Sequence, residues 1–176
     1  MQKHLVELKA HAADLSPLRE RLRTAGAVHH GTDHQIDRYF PVAEGRLKLR
    51  LGNVERSLIF YHRPDTAGPK DSAVSLTRLE GEAAAADLGD TLHRALGTRV
   101  VVDKVREIYF IDNVKFHLDR VRGLGTFVEI EAIGSDAREH DALLTQLNHY
   151  RALLNIHDDD LLARSYSDML LERQPS

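Results

Sequence analysis

Charged and apolar residues alternate through several segments of this chain, and that alternation limits what it can fold into. The clearest run is Arg46-Leu47-Lys48-Leu49-Arg50-Leu51; Val6-Glu7-Leu8-Lys9-Ala10, Val105-Arg106 and Phe127-Val128-Glu129-Ile130-Glu131-Ala132 repeat it. In a strand, alternate side chains face opposite sides of the sheet. Arg46, Lys48 and Arg50 then form a line of cations about 6.6–7 Å apart, each neighbouring pair repelling by roughly 2 kcal/mol at an effective dielectric of about 20. On an open sheet water relieves that repulsion, and one such strand is only a solvated face. Several strands sharing the pattern, in a chain whose amphipathic helices need an apolar surface, point to a sheet closed on itself. Its apolar face lies outside under the helices, and its charged face lines a lumen.

Composition narrows the class. At 176 residues the chain is one domain, residues 1–176, large enough to bury a core. No apolar run approaches the ~20 residues that a membrane helix needs, and the start does not read as a signal peptide. The absence of cysteine excludes disulfides and thiolate metal sites and fits a cytoplasmic protein. A formal net charge of −3 argues against nucleic acid as the partner, so any anion site comes from local clustering of cations.

The elements follow from periodicity and punctuation. Strands are expected over Lys3 to His11, His30 to Tyr39, Gly45 to Leu51, Ser57 to Arg63, Val74 to Glu80, Arg99 to Ile111, Val114 to Val121 and Thr126 to Ile133. Gly52-Asn53, Asp112-Asn113 and Arg122-Gly123-Leu124-Gly125 turn the chain between neighbours. Helices are expected from Ser16 (as N-cap, with Pro17 first in the helix) to Gly26, over alanine-rich Glu82 to Leu96, from Ser135 or Asp136 with an Asp136–Glu139 capping box, and over Asp159 to Leu171. The third presents Leu143, Leu147, Tyr150 and Leu154 to the core. Pro64 to Ser72, which carries Lys70, is a loop and a candidate lid. The class is α+β, and the short connections imply antiparallel pairing.

The carboxylates sharpen the chemistry. Glu129 and Glu131 share one face, Asp119 lies on the preceding strand, and Glu7 is on the first. Carboxylate oxygens suit Mg²⁺ or Mn²⁺, which also take water and phosphate oxygens. The plainer alternative is a set of cross-strand salt bridges to Lys9, Lys104 and Arg106. His117 shares the charged face with Lys115 and Asp119, as a satisfied lumen residue or a proton carrier. The His29-His30 pair lacks ligand spacing and reads as surface.

These motifs, in order along nearly the whole chain, resemble the CYTH (triphosphate tunnel metalloenzyme) family, and within it the class IV adenylyl cyclase-like branch. The resemblance rests on Val6-Glu7-Leu8-Lys9, Gln35-Ile36-Asp37-Arg38-Tyr39-Phe40, Gly45 to Arg50, Asp103-Lys104-Val105-Arg106, Leu118-Asp119-Arg120-Val121, Gly123 to Glu131, and the terminal Ser165-Tyr166-Ser167-Asp168-Met169-Leu170. It implies an eight-stranded antiparallel β-barrel with helices packed outside and a triphosphate held in its tunnel. Lys9, Arg46, Lys48, Arg50, Arg63, Lys104 and Arg106 would grip the phosphates, with Lys9, Arg50, Lys104 and Arg106 nearest the chemistry. Glu7, Glu129, Glu131 and Asp119 would hold Mg²⁺ or Mn²⁺. One position departs: Leu5 stands where the family's opening motif has its first glutamate, which removes one oxygen from the metal shell.

The resemblance implies an enzyme acting on a nucleoside triphosphate or another triphosphate small molecule. The leading expectation is adenylyl cyclase chemistry, in which ATP gives cyclic AMP and pyrophosphate. The alternatives are a triphosphatase acting on tripolyphosphate, a nucleotide or thiamine triphosphate, and a non-catalytic nucleotide or polyphosphate binder, which Leu5 would favour. An apolar stripe on the helical exterior would support a homodimer.

Overall fold

The computed structural model describes residues 2–62 and 66–173. Eight strands close into an antiparallel barrel: β1 Gln2–His11, β2 Val28–Phe40, β3 Arg46–Leu51, β4 Ser57–His62, β5 Lys70–Arg78, β6 Val100–Ile111, β7 Val114–Val121 and β8 Gly125–Gly134. Around the wall they run β1-β5-β4-β3-β2-β6-β7-β8, and β8 pairs with β1. Strands β2 to β5 and β6 to β8 are each a meander of hairpin-joined neighbours. The two steps between strands that do not pair, β1 to β2 and β5 to β6, are each spanned by a helix, α1 (Ser16–Thr24) and α2 (Glu82–Leu96). Helices α3 (His140–Leu153) and α4 (Tyr166–Arg173) follow the barrel.

The main apolar core lies outside the barrel wall. Val6, Leu8, Phe116, Leu118, Val128 and Ile130 point outward from β1, β7 and β8. They pack against Leu18 and Leu22 of α1 and against Leu143 and Leu147 of α3. Each is the neighbour of a charged residue on its strand, so burying this face turns Glu7, Lys9, His117, Asp119, Glu129 and Glu131 inward. On the far side α2 lies close on β3: a Cβ added at Gly89 would sit 2.9 Å from Leu49.

A second apolar cluster fills one end of the lumen. Tyr39, Ile59, Tyr61, Val102, Val121 and Phe127 share the inward parity of the charged residues, and Tyr166, Met169 and Leu170 of α4 pack on them. The inside is therefore polar over part of its length and apolar at the end that α4 covers, where an alternation of charge alone leads one to expect a polar lining throughout.

Several boundaries differ from the sequence expectations. Residue 161 pairs with Ala10 in an extended bridge, so the last helix is broken: Asp158–Asp160 forms a short 3-10 turn and α4 starts only at Tyr166. The capping box at Asp136 is not made. Glu139 accepts hydrogen bonds from Ser135, Asp136 accepts from Arg138, and α3 begins at His140 after a 3-10 turn. The N-cap of α1 is Leu15 rather than Ser16, whose N–H donates to the Asp14 carboxylate. Arg63 lies outside the described residues, as do Pro64 and Asp65 of the expected lid; Lys70 opens β5 rather than belonging to a loop.

Candidate functional site

Two clusters of paired charges occupy the polar part of the lumen, built from residues at alternate positions on six strands. The first centres on Asp37 of β2. Arg50 of β3 donates to its two oxygens at 2.8 and 2.9 Å, Lys48 at 2.9 Å and Lys104 of β6 at 2.8 Å. Asp37 is only 1% exposed. Burial alone would raise its carboxyl, but Arg50, Lys104 and Lys48 outweigh it and hold Asp37 well below the usual carboxylate range. Lys104 moves the other way. Burial first, and then the nearby charges of Arg50, Arg106 and Lys48, push its ammonium down to about 7 against the pull of Asp37.

The second cluster lies beside the first, because Arg106 is two residues from Lys104 on β6. Arg106 donates to Asp119 at 2.6 and 2.5 Å and to Glu129 at 2.7 Å. Lys9 reaches Glu129 at 3.0 Å and sits 3.6 Å over the ring of Tyr166, whose hydroxyl donates to Asp119 at 2.7 Å. Glu129 is held well below its ordinary range because Arg106 and Lys9 outweigh the effect of burial. His117 places Nδ1 3.1 Å from Glu129 and 3.7 Å from Glu131, while its buried Nε2 has no partner. Burial and Arg106 lower its pKa, so the ring is neutral.

Toward the open end, Glu55 in the β3–β4 turn reaches across the lumen to Lys115 of β7 at 2.5 Å and back to Arg50 at 3.1 Å. Asp33 fixes that turn by accepting the N–H groups of Val54 and Glu55. Glu7 faces Glu131 across the β1–β8 pairing, both partly exposed. The lumen is largely filled by its own ion pairs. An anion entering it meets cations already gathered and must share or displace their carboxylates.

The residues expected at the site divide accordingly. Lys9, Lys48, Arg50, Lys104 and Arg106 converge inside, as do Glu7, Glu129 and Glu131. Arg46 does not join them: it pairs with Asp168 of α4 at 2.8 Å, at the apolar end. Asp119 was expected as a metal ligand, but it is fully enclosed and its oxygens accept from Arg106 and Tyr166, which makes it the anchor of Arg106. His62 is exposed on the outer face, and His29 and His30 are exposed as expected. Sequence reasoning passed over Asp37, Glu55 and Tyr166. The signal for Asp37 was present in Asp33-x-Gln35-x-Asp37-x-Tyr39, a polar alternation of the same kind as the cationic strand it pairs with.

A divalent ion fits the donor set. His117, Glu129 and Glu131 each offer a ligand atom within 4.8 Å of the other two. Glu131 also has no Arg or Lys partner among the described residues, unlike Asp37, Asp119, Glu129 and Glu55.

A family model described as the CYTH domain matches residues 3–166. A protein of Methanocaldococcus jannaschii, whose name presents it as a candidate adenylate cyclase, is 28% identical over 173 residues, covering 93% of this chain and 97% of its own. Among solved structures, one from Pyrococcus horikoshii superposes with a TM-score of 0.75 at 22% identity, over 93% of this chain and 98% of its own. Another, from Vibrio parahaemolyticus and described as a candidate adenylate cyclase, reaches 0.79 at 17% identity, over 96% and 98%. At those identities the two structures speak to the fold alone.

Proposed function

This chain belongs to the CYTH family, and on that premise we propose that it binds a triphosphate in its basic lumen and, with a divalent ion, converts ATP to cyclic AMP and pyrophosphate. The observation that carries the triphosphate reading is the convergence of Lys48, Arg50 and Lys104 on the single buried carboxylate of Asp37. Three donors gathered on one anion are already placed for the oxygens of another, so little side-chain ordering remains when phosphate arrives. The cyclase reading draws its support from the name of the M. jannaschii relative.

In this reaction the ribose 3′-hydroxyl attacks the α-phosphorus, its proton passes to solvent, and the bond to the α–β bridging oxygen breaks to release pyrophosphate. Lys9, Arg106 and the Asp37-bound cations would hold the phosphate chain and offset the negative charge that grows on the leaving group. Asp119 and Tyr166 would keep Arg106 and Lys9 in place, and the apolar end packed by α4 would keep water from crossing the lumen. Held by Glu131 and Glu129, with Glu7 opposite, Mg²⁺ or Mn²⁺ would supply charge neutralisation of the phosphates.

Incubation of the purified protein with ATP and Mn²⁺, followed by separation of products, tests the proposal. Cyclic AMP and pyrophosphate are expected. Orthophosphate would make the protein a triphosphatase, and unchanged ATP despite tight binding would make it a sensor.

A further inference from the structure

At the open end of the lumen, one carboxylate comes from a turn rather than a strand, and donors from three strands converge on it. Glu55 accepts from Lys115 of β7 at 2.5 Å. Its other oxygen accepts from Arg50 of β3 at 3.1 Å and from the Gln35 amide of β2 at 3.2 Å. In the wall, β2 and β6 separate β3 from β7, so the carboxylate bridges cations across the lumen. Lys115 lies opposite Glu131 in the β7–β8 register, yet its ammonium extends to Glu55.

The turn that carries Glu55 is pinned in place independently of that contact. Buried Asp33 accepts the N–H groups of Val54 and Glu55, each at 2.9 Å. Asn53 accepts from the N–H of His34 and donates to the carbonyl of Thr32. Gly52 lies so close to Asp33 that a Cβ there would come within 2.6 Å of both carboxylate oxygens. The backbone therefore delivers Glu55 to the two cations; they do not draw in a loose loop.

Of the carboxylates that hold lumen cations, Glu55 is the one placed to leave. Asp37 and Asp119 are enclosed and the Glu129 side chain is 14% exposed, whereas 26% of the Glu55 side chain meets solvent. Rotation of that side chain toward water needs no change in the pinned backbone. Gln35 would keep its 2.8 Å bond to Asp33, and Arg50 its bonds to Asp37. Lys115 has no other Asp or Glu within ion-pair distance among the described residues, so it is the cation left for an incoming anion.

We infer that Lys115, Arg50 and the Gln35 amide form a phosphate subsite at the open end of the lumen, which the Glu55 carboxylate fills until a ligand phosphate displaces it. Lys115 is then a substrate-binding residue in addition to the cations grouped around Asp37 and Glu129. The inference rests on the triphosphate reading above and deepens it. Because apolar side chains fill the other end under α4, the phosphate at this subsite is the one next to whatever group the phosphate chain carries.

The test is calorimetric titration of the full chain with tripolyphosphate at a fixed Mn²⁺ concentration, comparing wild type, E55Q, K115M and the double variant. Melting curves establish that each is folded, and E55D, which draws the carboxylate back from Lys115, gives the same reading should E55Q not fold. E55Q is expected to bind about tenfold more tightly, the lower end of what a hydrogen bond to a charged group is worth. K115M should cost the wild type less than about threefold, because its Lys115 exchanges one anion for another, and should cost E55Q about tenfold, a coupling that the double-mutant cycle isolates. If Glu55 and Lys115 are only a strut across the barrel, K115M has the same effect in both backgrounds. That result, or an E55Q protein that binds no more tightly than the wild type, would overturn the inference and leave the triphosphate reading standing. Failure of the wild type to bind tripolyphosphate at all would overturn both.

Discussion

Lys104 and Asp37 meet at 2.8 Å with both side chains 1% exposed, on strands whose pairing puts Gln35, not Asp37, opposite Lys104. The ion pair is thus a diagonal contact inside the barrel. It holds a cation that burial and three positive neighbours would otherwise expel.

Asp37→Asn should be the most damaging of the conservative substitutions in the lumen. It leaves Lys48, Arg50 and Lys104 crowded without their counter-ion, and breaking a buried pair by removing one partner costs about 3–5 kcal/mol. For a chain of this size that is a fall of ~10 °C or more in melting temperature. Added tripolyphosphate should raise the melting temperature of the variant more than that of the wild type. Equal shifts would mean that the phosphate does not take the place of Asp37.

The depressed pKa of Lys104 gives a signed pH dependence. In the folded protein the ammonium loses its proton at about 7, whereas in the unfolded chain it does so near ~10.4. Between those values the unfolded state binds more protons, so the stability contribution of this group rises with pH from about 7 to 10. Phosphate binding runs the opposite way, because it needs the charged form. Tripolyphosphate affinity should fall above pH 7, with proton uptake visible by calorimetry in buffers of different ionisation enthalpy. K104M should abolish both trends.

Glu129 and Glu131 lie two residues apart on β8 yet should respond differently. Glu129→Gln removes the shared counter-ion of Lys9 and Arg106 and should lower the melting temperature clearly. Glu131→Gln breaks no ion pair with Arg or Lys among the described residues and should leave the melting temperature nearly unchanged, while raising the metal concentration needed for half-maximal activity. A paired metal titration and thermal melt of both variants tests the contrast.

Tyr166→Phe keeps the ring beneath Lys9 but deletes the hydroxyl that donates to Asp119. A hydrogen bond to a buried charge is worth about 1.5–3 kcal/mol, so chemical denaturation should report a loss of that size. Tripolyphosphate affinity should change little if Tyr166 acts only by holding Asp119.

One expectation changes its sign between sequence and structure. As a line of like charges, Arg46, Lys48 and Arg50 imply that truncating Arg50 relieves repulsion. In the folded protein Arg50 is a buried partner of Asp37 and Glu55, so Arg50→Ala removes an attraction. Asp37 and Glu55 come from β2 and a turn, and no local pattern in the cationic strand announces them.

What the chain determined by itself was the alternation. A period of two fixes which residues share a face, and the need of α1 and α3 for apolar surface fixes which face is inside. That reasoning places Lys9, Lys48, Arg50, Lys104, Arg106, Glu129 and Glu131 in one lumen, and it gives the eight strands in order, with β5 starting four residues earlier than expected. Which cation meets which carboxylate was decided by register and barrel closure, because those set the diagonal distances between strands far apart in sequence. The same closure turned Arg46 to Asp168, enclosed Asp119 behind Tyr166, packed one end of the lumen with apolar side chains, and brought His117 to Glu129 and Glu131.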